Sequence, residues 1–361
     1  MGAINPSFLF DLESRLQVIT ETEYNRLSAN LWWQKVAKVR PSVGKRELYS
    51  WLLSTATIDD LGTGGSLGFE DLVVLEFDVT NKNAGKGLKL RKQLFEDMSQ
   101  GVGGKEGIDL ASQWAAQIGA YMAYWPQKQI AALIKAGGST TAYDSANFFA
   151  TTHYYNPYNT GLGSYANDFT SSASGQYPGY VVIDESVSLD VAATNLAKAF
   201  AYIRGIKMPN GVDPRMLKPA FLLGPPRLGP RMALLSQAQT IAMTAGGGSA
   251  PYGGGSVDFS GVIKQWDLEP PVIADELAYD STYTSADTTF YIAVEQMAST
   301  QLGALIYQER EPFKITYYSG DSGGTGMDAV LSRADELEWH CHGRNAVSPG
   351  HPYLLFRCQP S

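Results

Sequence analysis

The string Gly-Asp-Ser-Gly-Gly at 320–324 places Ser322 in the setting that surrounds the nucleophile of chymotrypsin-like proteases. A serine becomes nucleophilic there only with a histidine base, an aspartate to orient that base, and oxyanion donors on a two-barrel β scaffold. The one histidine upstream is His153, in FFATTHYYN, and two long helical stretches elsewhere do not suit an all-β fold. On either side of the string, EPFKITYYS and MDAVLSRADELEWHCHG both read as strands. The local grammar is therefore strand, glycine turn, strand, and Ser322 reads as a turn residue at a hairpin tip.

A second cluster with possible chemistry lies at the C-terminus. His340, His342, His351 and both cysteines, Cys341 and Cys358, fall in the last 22 residues. On a strand His340 and His342 share a face, and with Cys358 they approach a zinc tetrahedron. Neither Cys-x-x-Cys nor His-Glu-x-x-His spacing is present, so the competing reading is a half-exposed strand beside Trp339. The glycine-rich stretches GTGGSLGF and AGGGSAPYGGGS match neither phosphate-loop nor dinucleotide-binding patterns. No catalytic, metal or cofactor-binding residue is assigned, and the chain is expected not to be an enzyme.

Composition narrows the classes further. The 361 residues carry 28 Lys and Arg against 36 Asp and Glu, a net charge of −8, so the basic excess that a tight DNA binder draws on is missing. Two cysteines argue against a disulfide-stapled secreted domain. The start, MGAINPSFLFDLESRLQ, has no basic and apolar signal-peptide regions, and no apolar run nears the ~18 residues of a membrane span. A soluble protein made in a reducing cytoplasm is expected.

The elements that position these residues can be read from periodicity. Residues 8–40 read as helical, with Leu12, Leu16 and Ile19 on one face and TETE at 20–23 as a capping box with Thr20 as N-cap. Alternation in 49–55 and 75–79, joined by a glycine-rich connection, predicts a β-hairpin. A two-stranded ribbon is marginal alone, so this one, expected to protrude, must dock on something, and on another copy of the chain if nothing in its own subunit receives it. The strongest helix covers 109–138, with Trp114, Ile118, Met122 and Trp125 in one stripe and Pro126 expected to kink or split it. A second helix spans about 187–204, then a strand, turn and short helix follow over 217–237, with strands near 262–266 and 289–295. The run NAGKGLKLRKQLF, 83–95, is basic and reads as a solvated face beside a hairpin. An extended arm, a projecting hairpin, a strut helix and 20 Tyr with 7 Trp together indicate a structural, self-associating protein.

Two stretches carry a family resemblance. AYDSANFFATTHYYNP (142–157) resembles a segment of the Mu-like tailed-phage major head proteins that shares Tyr143, Asp144, Asn147, Phe148, Phe149, Thr151 and His153. LGALIYQEREPFKI (302–315) is similar to that family's strand with Ile306, Gln308, Arg310, Pro312 and Phe313. Gly303-Ala304 and the tail SPGHPYLLFRC depart from it. The resemblance implies an α+β, HK97-type phage capsid fold: an N-terminal arm (1–45), an extended β-hairpin loop (46–92), a peripheral domain with the spine helix (93–154), an axial domain (155–300), a peripheral hairpin (301–345) and a terminal strand returning to the axial domain (346–361). It implies a major capsid protein whose hexameric and pentameric capsomers form an icosahedral shell around double-stranded DNA held without sequence-specific contacts. It also implies a portal, a separate scaffolding protein and decoration proteins as partners, and no membrane. An encapsulin-like compartment of the same fold is the alternative. A hydrolase using Ser322, or a zinc protein using His340 and His342, is the rival from another class.

Overall fold

A computed structural model describes residues 6–53, 73–91, 104–169, 178–237, 241–242, 256–257, 267–278, 286–295, 303–317 and 336–359. Helix α1 (Pro6–Ser28) is followed by the short helix α2 (Trp33–Val36), which passes directly into strand β1 (Ala37–Pro41). The chain continues through β2 (Arg46–Leu52), β3 (Val74–Thr80), β4 (Lys82–Arg91) and the long helix α3 (Gly104–Lys135). Short strands β5 (His153–Tyr154), β6 (Ser164–Tyr165) and β7 (Asp168–Phe169) precede α4 (Leu189–Arg204), β8 (Pro219–Gly224) and α5 (Gly229–Gln237). The two-residue strands β9 (Ile241–Ala242), β10 (Ser256–Val257) and β11 (Val272–Ile273) lead to β12 (Phe290–Val294), β13 (Leu305–Tyr317), β14 (Glu336–Pro349) and β15 (Leu355–Cys358).

Two sheets organise the molecule. One has the order β1-β13-β14-β4, with β1 parallel to β13 and the other neighbours antiparallel. The other is mixed, in the order β11-β8-β12-β15-β7. Strands β2 and β3 form a separate antiparallel hairpin. The main core joins the C-terminal half of α3 (Ile130, Ala131, Ile134), the inner face of α4 (Leu196, Phe200, Ile203) and the mixed sheet (Leu222, Phe290, Phe356).

Strand β13 shows why two faces matter. Leu305 and Tyr307 belong to the main core, while Ile306 packs with Tyr49, Trp51, Val79 and Ala346 of a second cluster. Successive side chains leave opposite faces of a strand, so a strand buried on both sides reads as a continuous apolar run, as Ala304-Leu305-Ile306-Tyr307 does.

Several sequence expectations need correction. The helical reading of 8–40 overran its end: Ala37–Pro41 pairs in parallel with residues 305–309, a partner more than 260 residues away that no local pattern reveals. Thr20 is not a cap. It lies inside α1, where its hydroxyl donates to the Leu16 carbonyl at 2.8 Å and to the Ala115 carbonyl of α3 at 3.2 Å. Pro126 does not split α3, which runs unbroken for 32 residues, about 48 Å. The basic stretch from residue 83 is a solvated face beside a hairpin, as expected, with Lys82, Lys86 and Lys89 exposed, but it is also a strand: Lys82–Arg91 pairs with β14 over ten positions. The Gly-Asp-Ser-Gly-Gly string with Ser322, the 245–255 glycine loop and the strand near 262–266 lie outside the described residues.

Candidate assembly site

The hairpin β2–β3 has two unlike faces. On the inner face Tyr49, Trp51 and Val79 are buried against the first sheet. The Tyr49 hydroxyl donates to Gln308 Oε1 at 2.8 Å, and Gln308 Nε2 reaches the Val79 carbonyl at 3.4 Å. Gln308 is fully buried, so these bonds supply partners that water cannot. Burial pushes the Tyr49 phenol up to about 12, which keeps it a neutral donor. Trp51 stacks on Tyr143 with ring centroids 4.9 Å apart, and the His351 ring meets both edge-on. Desolvation by this aromatic packing, with Arg215 and Lys38 nearby, lowers His351 to about 3, so the imidazole is neutral.

The hairpin's entry is fixed as well. Glu47 Oε1 accepts the N–H groups of Val43 and Gly44 at 2.8 Å each and the Ser42 hydroxyl at 2.9 Å. These bonds, led by the one from Gly44, hold its carboxyl below the usual carboxylate range. Asn81 closes the other side of the turn through Ser42 Oγ and the Gly44 carbonyl. The sequence expectation that the hairpin finds no home in its own subunit is thus corrected: its base is docked. Its outer face is open, with Leu48 52%, Leu52 56% and Val74 42% exposed. Arg46 and Asp78 on that same face form an exposed ion pair.

The resembling segment 142–157 builds a buried polar knot. His153 Nδ1 lies 2.6 Å from Asp144 Oδ2, and both side chains are sealed from solvent. Asn167 donates from Nδ2 to the carbonyls of Phe148 and Pro352, at 2.7 and 3.0 Å, while its Oδ1 accepts the Ala150 N–H at 2.9 Å. Those backbone partners fix the amide orientation, so His153 Nε2, 3.1 Å from Oδ1, must be the donor in that contact. Next to this knot, Arg357 makes a two-pronged bond to Asp168 at 2.8 and 2.6 Å, tying β15 to β7. The aspartate and histidine of the motif therefore hold chain segments together. With both ring nitrogens committed, His153 has none to offer as a general base.

Helix α1 lies along α3 where Ala111, Ala115 and Gly119 recur every fourth residue. A Cβ at Gly119 would sit 2.4 Å from the Thr20 carbonyl oxygen, so the crossing needs glycine there. The zinc arrangement does not assemble. His340 and His342 lie on β14, opposite Gly87 and Gly85 of β4, whereas Cys358 is buried in the mixed sheet, bonded into β15 between β12 and β7. Cys341 sits between the two histidines in the strand and so faces the other way. His340 Nε2 instead meets Glu338 at 3.0 Å. Among the described residues no group of three or more His, Cys, Asp or Glu could hold a metal ion. The described helices include none long and apolar enough to cross a membrane.

A long helix laid beside a four-stranded sheet, with a docked hairpin and a second mixed sheet, defines the class: the HK97-type fold of phage capsid subunits. The capsid of cyanophage P-SCSP1u is similar at a TM-score of 0.51, with 14% identity over 92% of this chain and 88% of that one. The bacteriophage JBD30 capsid is similar at a TM-score of 0.46, with 12% identity over 93% of this chain and 67% of that one. The SrpI encapsulin from Synechococcus elongatus PCC 7942 is similar at 0.44, with 10% identity, covering 91% of this chain and 87% of that one. No curated protein sequence matches the chain. The family described as Mu-like prophage major head subunit gpT matches residues 14–191, about half of the chain, including the whole Asp144–His153–Asn167 knot. The chain belongs to that family and is a major capsid protein.

Proposed function

We propose that this chain builds an icosahedral phage head by assembling into hexameric and pentameric capsomers that enclose double-stranded DNA. In this reading residues 1–45 act as the arm and 46–92 as the loop that overlaps a neighbouring subunit. Residues 93–154 and 301–345 make the peripheral domain, and 155–300 with 346–361 the axial domain. A separate scaffolding protein, a portal and decoration proteins complete the particle, which is assembled in the host cytoplasm. The work is geometric and needs no catalytic group.

The observation that carries the reading is the hairpin's asymmetry. Its inner face is anchored by Tyr49, Trp51 and Gln308, while Leu48, Leu52 and Val74 face outward. Apolar rows on a rigidly held ribbon suit burial by a sister subunit, and obligate interfaces of this kind bury about 2,000–5,000 Å². The net charge of −8 suits a shell that encloses DNA without gripping it. Replacing 54–72 by a two-residue turn, with Tyr49, Trp51 and Val79 kept, should yield a folded subunit that forms no closed particles under the electron microscope. Normal shells from that variant would overturn the proposal.

A further inference from the structure

A groove of about 1140 Å³ runs between α3 and the first sheet. Small-ligand sites hold roughly 300–1,000 Å³, are mostly apolar, and orient their ligand with a few polar groups. This groove has that make-up. Trp114, Ile118 and Met122 of α3 line one wall and Phe313 the other. Trp125 meets the Phe313 ring edge-on, with centroids 6.2 Å apart.

The sheet side carries its charge on two rungs. Across β4 and β14, Lys82 stands opposite Asn345 and Lys86 opposite Cys341. Side chains directly opposite in a ladder leave the same face, with Cβ atoms about 4.5–5.5 Å apart, and all four of these line the groove. Between the rungs lies the small pair Ala84 and Gly343. A Cβ at Gly343 would sit 2.9 Å from the Phe313 ring, so glycine lets that ring lie over the strand. Both lysines are exposed and form no ion pair among the described residues. The one acid among the described lining residues, Asp78, is engaged by Arg46 at 3.2 Å. An anion is complementary to this face.

Asn345 is an independent sign of a ligand. It is 5% exposed, and its Oδ1 accepts the Trp125 indole N–H at 3.1 Å. An indole nitrogen only donates, so this bond fixes the amide and leaves Nδ2, a buried donor, without a partner. Buried donors are seldom left unpaired, and an acceptor entering the groove beside Lys82 would satisfy this one.

We propose that the groove binds a free fatty acid. Its carboxylate meets Lys82 and Asn345 Nδ2, and its chain runs along α3 past Ile118 to Trp114. From Trp125 to Trp114 is about 16 Å at the helical rise, a length that fits a linear chain better than a compact apolar molecule. A bare anion would leave the aromatic wall in water, and a cationic amphiphile would face two lysines. This binding function lies beyond shell formation and does not depend on it.

The test is equilibrium dialysis of radiolabelled dodecanoate, below its micelle concentration, against the full-length unassembled subunit. Saturable binding of one dodecanoate per chain is expected. Dodecyltrimethylammonium, the same chain with a cationic head, should bind roughly tenfold or more weakly. Lys82→Glu, at an exposed position, should weaken dodecanoate binding roughly tenfold or more. Lys207→Glu makes the same change of net charge outside the groove and should leave binding unchanged. Asn345→Asp keeps an acceptor for Trp125 but removes the donor, and should weaken binding to a similar extent as Lys82→Glu. Dodecanoate brominated at its far end should quench tryptophan fluorescence, and Trp114→Phe should remove most of that quenching. No saturable binding, equal binding of the cationic chain, a loss in Lys82→Glu no larger than in Lys207→Glu, or quenching untouched by Trp114→Phe would each overturn the proposal.

Discussion

Asn167→Ala tests whether the buried knot holds the subunit together. The side chain is fully buried and serves four chain segments: Phe148 and Ala150, His153, Pro352, and Leu355. Truncation strands the Ala150 N–H and the His153 Nε2 donor, each at about 1–3 kcal/mol, while the carbonyls lose a donor at smaller cost. Water entering the space recovers part of this. The expected loss is about 3–5 kcal/mol, at the severe end for a point change. Asn156→Ala is the control. It removes one bond, to the Tyr158 N–H in an exposed turn, and should cost no more than about 1 kcal/mol. Urea unfolding of unassembled subunits, followed by tryptophan fluorescence, measures both. Limited proteolysis should also show the segment 352–358 freed first in the Asn167 variant. A loss below about 1 kcal/mol, or one equal to the control, would refute the reasoning.

Gly119→Val should force α1 off α3, at an overpacking cost of about 1–3 kcal/mol, and release the first 28 residues to protease while the core stays resistant. Burial raises the Cys341 thiol to about 11 and Cys358 well above its ordinary value. Neither should react with a thiol reagent at pH 8 in the native subunit, and both should react in denaturant. His351 has a folded value below its unfolded one, so the unfolded chain binds the proton first and stability falls as pH drops from about 6.5 toward 3, by at most about 1.4 kcal/mol per unit. His351→Phe should flatten that fall between pH 6.5 and 5, above the carboxylate range, in melting curves.

Much of the architecture was legible from periodicity because its elements bury one face each. The α3 stripe, the α4 helix, the β2–β3 alternation and the strand-turn-helix over 217–237 all appeared near their observed places. What was missed depends on distant partners. Strand β1 exists because residues 305–309 offer it a ladder, and β4 because β14 does. The hairpin read as homeless because Tyr49 and Trp51 dock on Gln308 and Tyr143, which are far away in sequence. The motif residues Asp144, His153 and Gln308 stood out as a resemblance, but their role as buried fasteners needed the fold. A usable signal was there: Gln308 sits polar inside the apolar run Leu305-Ile306-Tyr307, and such a residue asks for a buried partner.

The central claim is that this chain closes into shells. Purified protein expressed alone should be imaged by cryo-electron microscopy with its mass measured in parallel. The account predicts closed icosahedral particles built from rings of five and six subunits. A monodisperse monomer under every condition, with the outer hairpin face still open to solvent, would contradict it.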